Sequence, residues 1–357
     1  MRDRSSRVDA QALRGFVVRV FESLGVPPED AEITADVLVE ADLRGIDSHG
    51  VARLQRYVNG LREGLIEPKA EVKVVHETPA TALLDGGNGL GQVVGVRAME
   101  RCIRKAEVVG AAFVSVRNSN HYGIAGYYAM MALPHDMIGL SLTNSRPLVV
   151  PTFGKQAMLG TNPISVAVPT KEERPFVLDM ATSIVPIGKV EVAHRRGEPL
   201  PPGWAVDGEG QPITDAATVL AGGGLLPLGG TRELGGHKGY GLSVVVDILC
   251  GILSGAGYGA MISRVPGMSK VGHFFAAMRV DGFRPVDEFK AMMDEMIRGL
   301  KGSAKAEGQD RIYIHGEIEF EMEEERRREG IPLHPKVVAS LKRIGQELGI
   351  RFDILSK

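Results

Sequence analysis

The 357-residue chain holds two cysteines and one tryptophan, and aromatic residues make up only 5% of it. Two thiols exclude a disulfide framework and a zinc ribbon. Cys102 and Cys250 stand far apart inside apolar helical patterns, so they read as small buried hydrophobes in a reducing, cytoplasmic setting. Long hydrophobic runs are missing too. No segment approaches the run of about 18 apolar residues that a membrane span needs. Near the N-terminus Leu13, Phe16, Val17 and Val20 are interrupted by Arg14 and Arg19, which suits an amphipathic helix and not a signal peptide. Charge of one sign is also lacking. A formal net charge of −2, with bases and acids interleaved, gives no case for nucleic acid or an anionic membrane as partner.

What is present is an ordinary globular composition, 44% hydrophobic and 24% charged. Periodicity predicts helices over residues 5–25, 29–43 and 50–63, and then the texture changes. Short strands are expected at 73–76 and 81–85, followed by a helix at 92–109 and a buried strand at 111–117. That β-α-β spacing suits a parallel crossover. Further strands are expected at 138–143, 164–168, 176–179 and 274–280. Helices are expected at 240–253, 287–300 and 335–348, and a loop-rich region lies between Arg195 and Thr231. The run Glu321–Gly330 (EMEEERRREG) places acids ahead of arginines at helical spacing, the pattern of a solvated helix face.

The dinucleotide-binding glycine fingerprint is a further absence. Gly255-Ala256-Gly257-Tyr258-Gly259-Ala260 fits its spelling, but it follows a helical pattern where the motif requires a strand. Gly86–Gly91 does follow a strand and open a helix, yet it lacks the third glycine and the later ribose-binding acid. It reads as a structural turn. A conventional Rossmann enzyme is disfavoured.

Polar clusters punctuate the apolar elements. In Asp42–Arg53 (DLRGIDSHGVAR) one helix ends and another begins. Ser48 is placed to cap the new helix, and Arg53 could grip a carboxylate through two parallel hydrogen bonds. Asn118-Ser119-Asn120-His121-Tyr122-Gly123 follows the buried strand directly. A lone histidine is usually structural, but one at such a strand end can serve as a proton-transfer group near neutral pH. Further loops carry Ser145, Asp179-Met180-Ala181 and His237-Lys238. They offer amides and cations to phosphate groups. The stretch around His237 is the strongest of these, because it leads into a long helix. Arg195 and Arg196 could meet a 2′-phosphate or could simply be solvated.

At these residues the chain resembles the malate/L-lactate dehydrogenase family that is unrelated to Rossmann enzymes, which includes ureidoglycolate, sulfolactate and 2,3-diketogulonate dehydrogenases. DLRGIDSHGVARL, RNSNHYG, LTNSRP, LGTNPI, LDMATS, GGHKGYGL and GHFF occur in family order over nearly the whole chain. The resemblance implies an α/β (α+β) fold: a non-Rossmann NAD(P)-binding domain over 73–330, and a helical domain from 1–72 with 331–357. It implies NAD or NADP as cofactor, a small 2-oxo or 2-hydroxy acid as substrate, and a homodimer with sites near the subunit interface. By motif position His121 resembles the acid/base, while Ser48 and Arg53 resemble substrate-binding residues, as His273 does at the head of GHFF. Ser145, Asp179, Met180, Ala181, His237 and Lys238 match cofactor-contacting positions. The chain departs from the family at His315-Gly316-Glu317, where Pro-Gly-Glu is common, and in the loop Thr231–Leu234. Two other classes stand beside this reading. A metal-dependent hydrolase would need ligand spacings that the nine histidines do not show, so no metal site is assigned. A non-catalytic ligand-binding relative would not need so many polar residues at element ends.

Overall fold

The computed structural model describes residues 6–262 and 269–354. Ser6–Val8 is a short strand, β1. Asp9 then turns the chain into α1 (Ala10–Ser23), accepting the Ala12 N–H at 2.8 Å and satisfying an orphaned helix-end amide. α1 buries Leu13, Phe16, Val17, Val20 and Phe21, one face of a 3.6-residue period. Pro28 opens α2 (Pro28–Leu43), a position where its missing N–H costs nothing. A 3₁₀ turn at Val51–Arg53 leads into α3 (Leu54–Arg62).

β2 (Lys73–Glu77) and β3 (Thr81–Asp85) form a hairpin, followed by α4 (Gly91–Val109) and β4 (Ala111–Ser119). β3 and β4 are parallel, with Asp85 opposite Arg117, so the expected β-α-β crossover is present. Next come α5 (Ala125–Met130), β5 (Met137–Thr143), β6 (Ile164–Val168), β7 (Phe176–Met180) and α6 (Ile187–Arg196). The loop-rich region is more ordered than its composition suggests. β8 (Ala205–Val206), β9 (Pro212–Ile213), α7 (Ala216–Ala221) and β10 (Gly224–Leu225) build a small antiparallel sheet there. α8 (Gly236–Val246) runs on into a π-helical turn at Asp247–Ile252. β11 (Val271–Arg279), α9 (Val286–Gly302), α10 (Glu317–Glu329), β12 (Ile331–Leu333) and α11 (Pro335–Leu348) complete the order.

The helix expected over 5–25 is corrected at its start. Ser5 lies outside the described residues, and Ser6–Val8 pairs antiparallel with β12, Val8 opposite Ile331. A partner more than 300 residues away decides its conformation. The first hydrophobic core accordingly joins the two ends of the chain. Leu13, Phe16, Leu38 and Leu54 pack with Ile331, Leu341, Ile344 and Ile354.

The central sheet has the order β2-β3-β4-β11-β5-β6-β7. Only β3 and β4 are parallel neighbours; the other pairs are antiparallel. These directions place the C-terminal ends of β3, β4, β5 and β7 on one edge. The N-terminal ends of β6 and β11 lie there as well. Loops 86–90, 120–124, 144–163 and 181–186 therefore all leave from the same edge.

Candidate active site

At this edge β4 ends in Ser119 and hands over to Asn120 and His121. Asn118 takes the left-handed region, φ 53°, which asparagine tolerates better than most residues. The two flanking asparagines have structural duties. Asn118 donates to Asp85 at 3.0 Å, while Asn120 donates to the Gly89 carbonyl at 3.0 Å and accepts the Ser269 N–H at 2.8 Å. Gly91 begins α4 against the same loop, and a Cβ there would overlap the carbonyl oxygens of Asn120 and His121. The run Gly86–Gly91 thus lets a helix start pack against the histidine loop.

His121 Nδ1 lies 2.7 Å from the Tyr57 hydroxyl, and the Gly123 N–H faces the same nitrogen at 3.4 Å. An N–H can face only an acceptor, so Nδ1 is bare and the neutral ring carries its proton on Nε2. His49 stacks on His121 with centroids 5.5 Å apart and planes 17° from parallel. Burial lowers the pKa of His121 well below 6.5, and Arg56, His49 and Arg53 push it further down. Burial pushes His49 down to about 4, assisted by Arg53 and Arg56. Both rings are neutral at pH 7.

Ser48 does not cap the helix that follows it, contrary to the sequence expectation. Its hydroxyl meets His49 Nδ1 at 2.9 Å. The first helical amide, Val51 N–H, is taken at 2.8 Å by the buried Asp42 carboxylate, and Gly50 is required beside it because a Cβ would overlap that carboxylate. The capping duty has moved to Asp42, and Ser48 stays exposed at the mouth of the site. Arg53 donates from Nε to the Ser48 carbonyl at 2.7 Å. Ser48, Arg53 and His121 are thus brought together, with His49, Arg56 and Tyr57 among them.

Of these, Arg56 and Tyr57 were missed as functional residues by sequence reasoning. Tyr57 and Arg56 looked like ordinary positions of an amphipathic helix. The available signal was spacing: Arg56 and Tyr57 lie three and four residues after Arg53, on its face of the helix.

His273 is fully buried and stacked on Tyr122, centroids 4.5 Å apart. Its two nitrogens meet Thr143 and Ser119 hydroxyls, each at 2.8 Å. No ring nitrogen is left for a substrate oxygen in this arrangement. It ties β4 to β5 across β11, directly behind the His121 loop.

The remaining predicted positions fall on neighbouring loops. Ser145 Oγ accepts the Thr161 N–H at 3.1 Å, and the Ser145 N–H donates to Asn162 at 3.1 Å. Buried Asn162 and Asn144 both donate to Asp247 at 3.1 Å, at the start of the π-helical turn. Met180 ends β7 opposite Ile164, and Ala181 follows. The Thr182 hydroxyl donates to the Asn162 carbonyl at 3.0 Å. His237 lies in the first turn of α8 with Nδ1 buried and unpaired, and Lys238 beside it is exposed and makes no ion pair among the described residues. Asp179 accepts the Gly126 N–H at 2.6 Å and stands on the wall of an open cavity of about 220 Å³, with Arg44, His315 and Glu319. Glu317 of the divergent His315-Gly316-Glu317 segment is held by Lys301 at 2.6 Å and Arg311 at 2.8 Å. The Arg195 side chain lies outside the described residues, and Arg196 is 3.9 Å from Glu198. Among the described residues no three His, Cys, Asp or Glu side chains group as a metal site, and no helix is long and apolar enough to cross a membrane.

Residues 8–342 match the family model described as malate/L-lactate dehydrogenase. A malate dehydrogenase of Pyrococcus abyssi is 53% identical over 97% of this chain and 96% of its own length. An L-sulfolactate dehydrogenase of Methanocaldococcus jannaschii is 43% identical over 95% and 96%. The crystal structure of malate dehydrogenase from Entamoeba histolytica superposes with a TM-score of 0.95 at 37% identity, covering 98% of this chain and 100% of that one. Ordered motifs, sheet and site loops meet in one assignment: this chain belongs to the malate/L-lactate dehydrogenase family.

Proposed function

We propose that the chain is an NAD(P)-dependent dehydrogenase that interconverts a 2-hydroxy acid and its 2-oxo acid, with His121 as the acid/base. The observation that carries this reading is the grouping of His121, bare at Nδ1 and free at Nε2 among the described residues, with Arg53 and Ser48 at the sheet edge.

A nicotinamide coenzyme, when bound, supplies the hydride donor or acceptor. The residues present fit such a group. The unpaired His237 Nδ1, the unpaired Lys238 and the amide-bearing end of α8 offer donors to phosphate oxygens. Ser145, Asp179, Met180 and Ala181 line the adjoining loops. A mainly antiparallel sheet without the glycine fingerprint supports a non-Rossmann mode of holding it. NAD and NADP are both compatible with these donors.

Arg53 pairs with the substrate carboxylate, and Ser48 donates to a neighbouring oxygen. In reduction, a doubly protonated His121 passes its Nε2 proton to the forming alkoxide at C2. The Tyr57 oxygen switches from donor to acceptor when the resting ring takes its second proton on Nδ1, and the ring keeps that proton after Nε2 has given up its own. In oxidation the Nδ1–H tautomer, its proton accepted by Tyr57, takes the hydroxyl proton at Nε2.

The reading takes residues 1–72 with 331–357 as one domain and 73–330 as the other, which the joined core of the chain ends supports. It also includes a homodimer and a cytoplasmic place. The exposed apolar residues Leu242, Val245, Ile248 and Ile252 along α8 and its extension offer area for a second copy to cover.

The test is a panel of 2-oxo acids assayed with NADH and NADPH separately, for the native enzyme and His121→Asn. Turnover of at least one acid is expected. The variant should lose about 10²- to 10⁴-fold in kcat while NAD(P)H fluorescence still reports binding. Native-like turnover by the variant would overturn the assignment of His121.

A further inference from the structure

Gln92 lies in the first turn of α4, directly after the glycine that packs against the His121 loop. Its side chain is fully buried, and neither the amide oxygen nor the amide nitrogen has a partner among the described residues. Burying an amide without hydrogen bonds is costly, and folded proteins rarely leave such a group unpaired without a use for it. Leu90 and Val93, close to it in sequence, share a core with Tyr57. The Gln92 amide is near enough to the Tyr57 hydroxyl to draw its pKa partly back from where burial has raised it.

The phenol has one proton and needs a place for it in each state of the histidine. In the resting ring Nδ1 is bare, and the Tyr57 hydroxyl donates to it across 2.7 Å. Once Nδ1 carries a proton the phenol oxygen must accept, and its O–H has to point elsewhere. Tyr57 is fully buried, and its hydroxyl makes no other hydrogen bond among the described residues. The groups around the ring are donors or are already engaged. Gly123 faces Nδ1 with an N–H, Arg56 donates to Ser269, Arg53 donates to the Ser48 carbonyl, and His49 Nδ1 is met by Ser48. The side-chain oxygen of Gln92 is the acceptor left idle.

We propose that Gln92 is a positioning residue for the proton transfer: its side-chain oxygen accepts the Tyr57 proton whenever His121 carries one on Nδ1, and so stabilises the tautomer that the reaction uses. The proposal rests on the dehydrogenase reading above, with His121 as acid/base, and deepens it. No covalent bond changes at either residue. The phenol O–H turns about its C–O bond, and the amide turns about χ3, a torsion with broad minima. An amide bonded elsewhere would have to break a hydrogen bond to follow Tyr57. An idle one does not, which accounts for its lack of partners in the resting fold.

The experiment measures kcat, KM and Tm for the native enzyme, Gln92→Met, Gln92→Leu, Gln92→Glu, Tyr57→Phe and the double variant carrying Tyr57→Phe and Gln92→Met, with a 2-oxo acid and coenzyme that the native enzyme turns over. Both apolar variants should lower kcat about 3- to 10-fold, the effect of one hydrogen bond, with both KM values changed much less. Their Tm should hold or rise, because an apolar group replaces an unpaired buried amide. Gln92→Glu keeps an oxygen acceptor and should recover part of the loss. In the Tyr57→Phe background, which has no phenol proton, Gln92→Met should lower kcat by less than about twofold. Equal losses from Gln92→Met in the native and Tyr57→Phe backgrounds overturn the proposal. So does native-like kcat in both apolar variants, or a lower Tm in both, which would make the amide a packing group. Any of these in an enzyme that His121→Asn still disables leaves the dehydrogenase reading standing, whereas a native enzyme that reduces no 2-oxo acid overturns both.

Discussion

The Tyr57 hydroxyl stands 2.7 Å from His121 Nδ1, joining the third helix of the chain to the loop after β4. Burial raises the Tyr57 pKa, so the phenol keeps its proton at neutral pH. Gln92 is near enough to draw that value partly back, yet it is fully buried with both amide atoms unpaired. Tyr57 can donate to a bare Nδ1 or accept from a protonated one; in the proposed proton transfer at Nε2 the ring keeps Nδ1–H throughout, with the phenol oxygen as its acceptor.

Removal of that hydroxyl therefore acts on the histidine and not on substrate contact. Tyr57→Phe is expected to lower kcat by about 10-fold or more, with the KM of the 2-oxo acid changed much less and the bell of the pH–rate profile displaced. Steady-state kinetics over a pH series reads both. An unchanged profile with equal loss in kcat and kcat/KM for every substrate would mean a packing role alone.

The pH dependence follows from the depressed histidine. A cation-disfavouring site lowers the pKa, so above pH 6.5 the ring is neutral and able to accept a proton. For oxidation of the hydroxy acid, kcat/KM should stay level as pH falls from 8 to 6.5. For reduction the proton-donating form is the scarce one, and kcat/KM should fall about tenfold for each unit that the pH rises from 6.5 to 8. Arg56→Gln removes the first charged contributor to the depression, so both breaks should move to higher pH. An oxidation limb breaking near pH 7 in the native enzyme is the contrary result.

Gly91 sits where α4 meets the His121 loop. Gly91→Ala would drive a methyl into two backbone carbonyls, which cannot swing aside as a side chain can. The expected result is a lower Tm together with a loss of kcat larger than the loss of folded protein at assay temperature. Circular dichroism melts beside activity measurements separate the two. Native-like kcat in a folded Gly91→Ala enzyme would show that the loop position tolerates displacement.

Much of the architecture was readable from period and breakers. Ile164–Val168 and Pro335–Leu348 coincide with their expected bounds, because alternation and a proline start are local signals. Ser6–Val8 was not, since its strand geometry comes from Ile331–Leu333. The π-helical turn at Asp247 was not readable either; it begins at a carboxylate held by the distant amides of Asn144 and Asn162. For the site, His121, Ser48 and Arg53 announced themselves as polar residues at element ends. Tyr57 and Arg56 did not, because on one helix a relay partner and a core tyrosine have the same spacing.

The pairing of β1 with β12 has a consequence for how the molecule is made. The core beneath Ser48 and Arg53 draws Ile331, Leu341, Ile344 and Ile354 from the far end of the chain. During synthesis the first 60 or so residues emerge with that apolar face uncovered, while the β-sheet region can pair its own strands. The wall that carries Ser48 and Arg53 is therefore the last to set, and a chain stopped before residue 331 would leave that wall without its core.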